Sequence, residues 1–247
     1  MVAARMGAVR MSSLAEQIQE AHGLRRWRQA TTVEADVTYG GPFWELKGIS
    51  ELATTDHVVA DVHRQHIRLT QPSGRVIEFD KDSDVVTVTG PDGSVERLEQ
   101  PRASFAGFTF ESRWNLLQGA YFQAYATWIY LIEVFAFTYP GVEATEIEPW
   151  VEDGESWRVL RVTFPRTIDT HSGTQLYYFN AAGDLVRLDY EPEVNGGAPT
   201  AHYQPERATV DGAVITTKHE IFIRGEDRAP DRSFMPISVD VAGITLR

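Results

Sequence analysis

Cysteine is absent from the 247 residues, which excludes disulfides, thiolate nucleophiles and zinc–thiolate centres together. Positive charge is scarce. The 23 lysines and arginines face 35 acidic residues, and the net charge of −12 has the wrong sign for binding nucleic acid or an anionic membrane surface. The motifs of common chemistries are missing too. There is no G-x-S-x-G elbow, and the glycines at 40–41 and 196–197 sit in turn-like sequence, without the strand-to-helix context of a phosphate-cradling loop. No cofactor and no metal are therefore expected. The opening residues MVAARMGAVRM hold no apolar core of signal-peptide length, so a cytoplasmic protein is expected.

Long hydrophobic runs are also lacking, with one exception. Residues 113–139 read RWNLLQGAYFQAYATWIYLIEVFAFTY, and Arg113 and Glu133 are their only charges. A membrane span needs about 20 predominantly apolar residues, whereas Asn115, Gln118, Gln123 and Glu133 interrupt this run and Pro140 bounds it. A buried helix is the expectation, with no stable membrane insertion. Leu117, Tyr121, Tyr125, Trp128, Leu131 and Phe135 recur at three- and four-residue steps, which predicts one apolar helical face. Ser112 offers a start signal, and Pro140-Gly141 a stop. The β-branched and aromatic residues after Ile132 place the helix end there, with an extended exit behind it.

The rest reads as turns and strands. Ser13 and Glu16 form a capping-box pair ahead of an amphipathic helix that ends near Gly23. Strand-like runs follow at 31–39, 43–49, 58–69, 76–79, 85–89 and 95–98, and after the central helix at 157–164, 174–179, 185–190, 201–210, 213–224 and 233–245. So many strands must curl or close, because open twisted sheets become unfavourable beyond roughly ten strands. The expected fold is mainly β: one large curved antiparallel sheet or unclosed barrel, with an N-terminal helix and the aromatic helix in its concave face. The expected organisation is a disordered or extended tail over 1–12 and a single half-barrel domain over 13–247.

That order resembles the lipoprotein-carrier superfamily of the LolA/LolB type, unclosed barrels with helices in the hollow. The likeness is clearest in LVRLDY at 185–190, His202-Tyr203, and Arg207 through Asp211-Gly212. Residues 163–172, TFPRTIDTHS, also resemble a group of uncharacterised bacterial proteins. The resemblance implies a concave apolar cavity for an acyl chain or similar hydrophobe. There is no cysteine for lipid attachment, and no signal peptide is expected, two departures from the periplasmic shuttles of that superfamily.

Seven histidines are the richest source of acid–base groups. His63 and His66, three apart on an expected strand, would face opposite ways and share no metal. If residues 180–184 close a hairpin, Tyr177 opposes Leu188 and Gln175 opposes Tyr190; a turn around Gly196 then sets Tyr190 opposite His202. Tyr177, Phe179, Val186, Leu188, Tyr190 and His202 would share a face, His171 would approach it, and Asp189 would point away unless the register slips by one. His171, His202, Tyr190 and Asp189 are thus the candidate catalytic groups, and Trp114, Tyr121, Tyr125, Trp128 and Tyr177 the candidate ligand-binding rings. Buried tyrosine hydroxyls need partners, and an imidazole beside a phenol in an apolar cavity can be tuned for proton transfer. Two functions fit: a module binding a hydrophobic small molecule or lipid, or a cofactor-independent cyclase, isomerase or lyase acting on a polyketide- or terpenoid-like compound. The oligomeric state is not legible.

Overall fold

Thirteen antiparallel strands form one sheet in the computed structural model, which describes residues 12–247; the tail expected over 1–12 lies outside the described residues but for Ser12. The strands are β1 (Thr32–Gly40), β2 (Thr55–Asp61), β3 (His66–Thr70), β4 (Val76–Asp80), β5 (Val85–Thr89), β6 (Val95–Glu99), β7 (Glu143–Glu152), β8 (Glu155–Thr163), β9 (Thr174–Phe179), β10 (Leu185–Tyr190), β11 (Thr200–Val210), β12 (Ala213–Ile223) and β13 (Ile237–Leu246). Across the sheet they run β6-β5-β4-β3-β2-β1-β13-β12-β11-β10-β9-β8-β7. Two meanders therefore meet where β1 pairs with β13, Val33 opposite Leu246 and Tyr39 opposite Val239. Strands β6 and β7 stay as free edges. The barrel is unclosed, as the sequence predicts.

Local chemistry explains the helices. In α1 (Leu14–Ala21) the Ser13 hydroxyl accepts from the Glu16 amide at 3.2 Å, and the Ser13 amide donates to Glu16 at 2.7 Å, the expected capping box. Gly23, at φ +85°, then turns the chain into α2 (Leu24–Trp27); a Cβ there would lie 1.9 Å from the Gly212 carbonyl oxygen. The strand expected at 43–49 is instead the short helix α3 (Phe43–Lys47), bracketed by Pro42 at its N-cap and left-handed Gly48 at its C-cap. The run expected over 58–69 is broken after Asp61, whose carboxylate accepts the His63 amide at 2.8 Å. His63 lies in that turn and His66 opens β3, so the two never share a strand.

Helix α4 (Leu116–Ile132) joins the two edges of the sheet and packs on β3, β4, β5, β6 and β12. Asn115, not Ser112, caps it: its side chain accepts from the Gln118 amide at 2.9 Å, and Gln118 returns a 3.0 Å bond. Every residue from Gln118 to Ile132 is buried, so the helix has no polar face and the single apolar face read from the periodicity is corrected. A helix apolar on all sides must be enclosed. It ends at Ile132 as predicted, but the exit is a 3-10 helix, Glu133–Thr138, not an extended segment. Glu133 makes the break with φ 35° and ψ −113°, a backbone that L-residues rarely adopt. No helix of the described residues is long and apolar enough to cross a membrane.

Candidate functional site

Strands β9 to β11 carry Tyr177, Asp189, Tyr190 and His202 of the predicted site residues, and their register decides which of these meet. Tyr177 opposes Leu188 as expected. The Gln175–Tyr190 pair does not form, because β9 and β10 separate beyond Leu176 and Asp189. A bulge between Leu185 and Arg187 turns Leu185 into the main core and leaves Val186 on the outer face, so Val186 leaves the predicted set. Across the next hairpin His202 opposes Leu188, and Tyr190 opposes Thr200. The slip is two residues, which preserves the face. Tyr190 and His202 therefore still point inward together.

They join His171, which reaches the inner face from the bend before β9. Its ring stacks on that of Tyr190, with centroids 4.3 Å apart and planes 12° apart. His171 Nε2 lies 3.0 Å from the Tyr130 hydroxyl and Nδ1 3.4 Å from that of Tyr125. Tyr190 Oη lies 3.5 Å from Tyr130 Oη and 3.4 Å from His202 Nδ1, and His202 Nε2 lies 2.9 Å from His219 Nδ1. His219 Nδ1 is 4.0 Å from the Glu133 carboxylate, which accepts from Gln204 and, at 2.7 Å, from Thr216. Burial keeps this cluster uncharged. It pushes His171 and His219 down to about 3, His202 well below its ordinary value, and Glu133 up to about 8. The phenols of Tyr125, Tyr130 and Tyr190 are raised for the same reason.

An apolar pocket opens onto these rings. Phe43, Phe110, Phe122, Ile221, Ile223 and Ile237 wall it, with Tyr130, His171 and Tyr190 at its floor. Its open volume is about 30 Å³, and a second space beside Tyr39 and Ala126 holds about 10 Å³. The room expected beside the helix is thus filled largely by rings. Phe110 belongs to a cover, residues 106–113, held from two sides. The buried Lys47 ammonium donates to the Phe110 and Ser112 carbonyls, and Gly196 lies so close that a Cβ would stand 2.8 Å from Thr109 Cα.

The remaining predicted residues lie elsewhere. Asp189 is on the outer face, where it accepts from Arg187 at 2.7 Å and from Tyr178 at 2.9 Å. Trp114 packs against Phe43, Phe105 and Phe122. Trp128 donates its indole to the Asp61 carbonyl at 2.9 Å, and Tyr177 packs edge-on against Phe137. Tyr121 donates at 2.8 Å to Asp169, which lines an open cleft of mixed polarity, about 650 Å³, between residues 81–103 of the first meander and 163–174 of the second. There Asp169 also faces Lys81 at 3.2 Å and Arg102 at 3.3 Å. Sequence reasoning missed Tyr130, His219, Gln204 and Glu133 as members of the inner cluster. A lone glutamate within the aromatic run was the one available signal.

No family model matches the chain, and no curated protein matches it in sequence. Solved structures do share its fold. A LolA superfamily protein from Nitrosomonas europaea is 15% identical with a TM-score of 0.55, over 96% of this chain and 94% of that one. A domain assigned to outer membrane lipoprotein sorting, from Vibrio parahaemolyticus, is 8% identical with a TM-score of 0.53, over 94% and 93%. A DUF1329 family protein from Desulfovibrio piger is 12% identical with a TM-score of 0.50, over 94% and 90%. The chain therefore has the LolA-type unclosed-barrel fold that its element order resembles.

Proposed function

We propose that this protein binds a hydrophobic small molecule or lipid in the apolar pocket between the curved sheet and α4. The observation that carries the reading is the pocket itself: aromatic and isoleucine walls that include the half-buried Phe110 of the 106–113 cover, and a floor of neutral polar rings. Ligand pockets combine apolar walls with a few placed polar groups in this way. The resting volume of about 30 Å³ admits no acyl chain, so binding requires Phe110 to swing out and give up its place. The fold likeness to a domain assigned to lipoprotein sorting points in the same direction. The test is uptake of N-phenyl-1-naphthylamine, followed by its fluorescence, together with native mass spectrometry of the purified protein. Saturable uptake that rises in Phe110→Ala is expected. Uptake that is absent in both forms would reject the pocket.

A second reading has its own support in the His171–Tyr130–Tyr190 floor. A cofactor-independent cyclase, isomerase or lyase needs enclosure, orientation and one acid–base group, and this floor supplies the last within the same pocket. A polyketide- or terpenoid-like compound is the matching substrate class. Turnover of such a compound should fall at least tenfold in His171→Ala and His202→Ala. Full activity in both variants would remove the acid–base role and leave binding alone.

A further inference from the structure

Hydrogen bonding does not stop at the pocket floor. From Tyr125 it passes through His171, Tyr130, Tyr190 and His202 to His219, with successive contacts of 3.4, 3.0, 3.5, 3.4 and 2.9 Å. Each of these side chains is buried. Each link joins groups that can either donate or accept, so the chain can be polarised consistently in two directions. With Tyr125 donating to His171, each later member donates onward until His202 Nε2 donates to His219 Nδ1. Reversed, His219 Nδ1 donates to His202 and every later bond points toward Tyr125. One proton moving the length of the chain converts the first arrangement into the second.

The far end is built to hold that proton. His219 Nε2 has no hydrogen-bond partner among the described residues, and Nδ1 lies 4.0 Å from Glu133. The Glu133 carboxylate faces His219 and Thr216 from β12, Gln204 and Arg207 from β11, Tyr177 from β9 and Tyr130 from α4. Arg207 is itself engaged by Asp184 at 2.7 Å, so Glu133 lacks a dedicated cation. Its backbone at φ 35° is strained, and strain of that kind persists where the surrounding structure holds a group in place.

We propose that Glu133, His219 and His202 are positioning residues that store and relay a proton for acid–base chemistry at the His171–Tyr130–Tyr190 floor, on a neutral, largely apolar compound with one acidic C–H or O–H. This deepens the second reading above and rests on it. His171 Nδ1 takes the substrate proton, displacing the contact from Tyr125. The Nε2 proton of His171 passes to Tyr130, the Tyr130 phenol proton to Tyr190, the Tyr190 proton to His202 Nδ1, and the His202 Nε2 proton to His219 Nδ1. The substrate is left an anion, an imidazolium forms at His219, and Glu133, ionised above about pH 8, is its counter-ion. Return of the proton reverses every step. The links of 3.4 and 3.5 Å must shorten by about 0.5 Å for a proton to cross, as apo catalytic contacts commonly do.

The test needs no substrate. Ring ¹⁵N resonances of His171, His202 and His219 are followed against pH in the wild type, in Glu133→Gln and in Tyr130→Phe. In the wild type all three are expected to report one shared step near pH 8, where Glu133 ionises. Glu133→Gln should abolish it at all three. Tyr130→Phe should abolish it at His171 alone, a pattern that general structural damage does not produce and that stands even if the Gln variant fails to fold. Independent titrations, or a step that persists at His171 in Tyr130→Phe, would overturn the relay. N-phenyl-1-naphthylamine uptake is measured alongside: its loss with the shared step intact sinks the pocket reading and not the relay.

Discussion

Strands β10 and β11 carry part of a buried polar cluster on each face, and the two clusters are built on opposite rules. Outside, Arg187 has no exposed side-chain surface and is fully paired. Both its Nε and Nη2 reach Asp189, at 2.7 and 3.0 Å, and Glu152, Tyr203 and the Arg228 carbonyl take its remaining bonds. Inside, one residue beyond Asp189 along β10, Tyr190 joins a set with three histidines and a glutamate but no close-paired cation. Where geometry supplies a two-pronged partner, a buried charge is kept. Where the opposite wall is the apolar α4, burial removes the charge instead. The outer cluster is therefore a fastening, and the inner one a set of movable protons.

The sharpest way to break that comparison is to unpair the outer charge. Asp189→Ala should cost about 3–5 kcal/mol in urea unfolding, because it removes the two-pronged partner of the buried Arg187, orphans its Nε and leaves Glu152 as its one carboxylate. A loss under about 1 kcal/mol would mean that Arg187 is solvated after all. The next effect belongs to the inner cluster and depends on pH. Glu133, held near 8 against an ordinary 4.5, binds its proton in the folded chain while the unfolded chain has lost it, so stability falls as pH rises from 4.5 to 8. His171 and His219, held at about 3 against 6.5, act oppositely, and stability is lost as pH falls below 6.5. The two limbs place the optimum at roughly pH 6–7. Glu133→Gln should flatten the alkaline limb by up to ~1.4 kcal/mol per pH unit, measured by thermal unfolding across pH; an unchanged limb would show that Glu133 is ionised in the fold. Gly196→Ala comes third. It forces a left-handed alanine against Thr109, at about 1–2 kcal/mol, and should speed dye uptake by lifting the cover. Smallest is Glu146→Ala, which removes the exposed partner of Arg158 (2.7 and 2.8 Å) and should cost only ~0.2–1 kcal/mol. A larger loss there would erase the contrast between buried and exposed pairs.

Features set by near neighbours were legible in the sequence: the Ser13–Glu16 cap, the helix end at Ile132, the 180–184 hairpin with Tyr177 opposite Leu188. The shared face of Tyr190 and His202 survived a misplaced turn because the error was an even number of residues. Helix α3 was misread because FWELK is aromatic-rich and only five residues long, so its Pro42 and Gly48 brackets outweigh its composition. Strand β7 went unassigned because it is an edge strand. Pro149 interrupts it, a register shift separates Ile147 from Trp150, and little of it is buried, so it shows no two-residue alternation. In the site, Glu133 stood out only as a charge inside an apolar run. Nothing local announces that a strained backbone turns it toward residues 71 and 83 positions away.

The meeting of β1 and β13 at the middle of the sheet sets a timetable for the nascent chain. Strands β1 to β6 can pair among themselves as they leave the ribosome, yet β1 keeps an unpaired margin of amides and carbonyls until β13, nearly two hundred residues later, has been synthesised. Through that interval the first half is open to pairing with other chains, and α4 has only half of its wall to shelter in. Truncations that stop short of residue 237 should therefore aggregate and not yield a smaller folded unit.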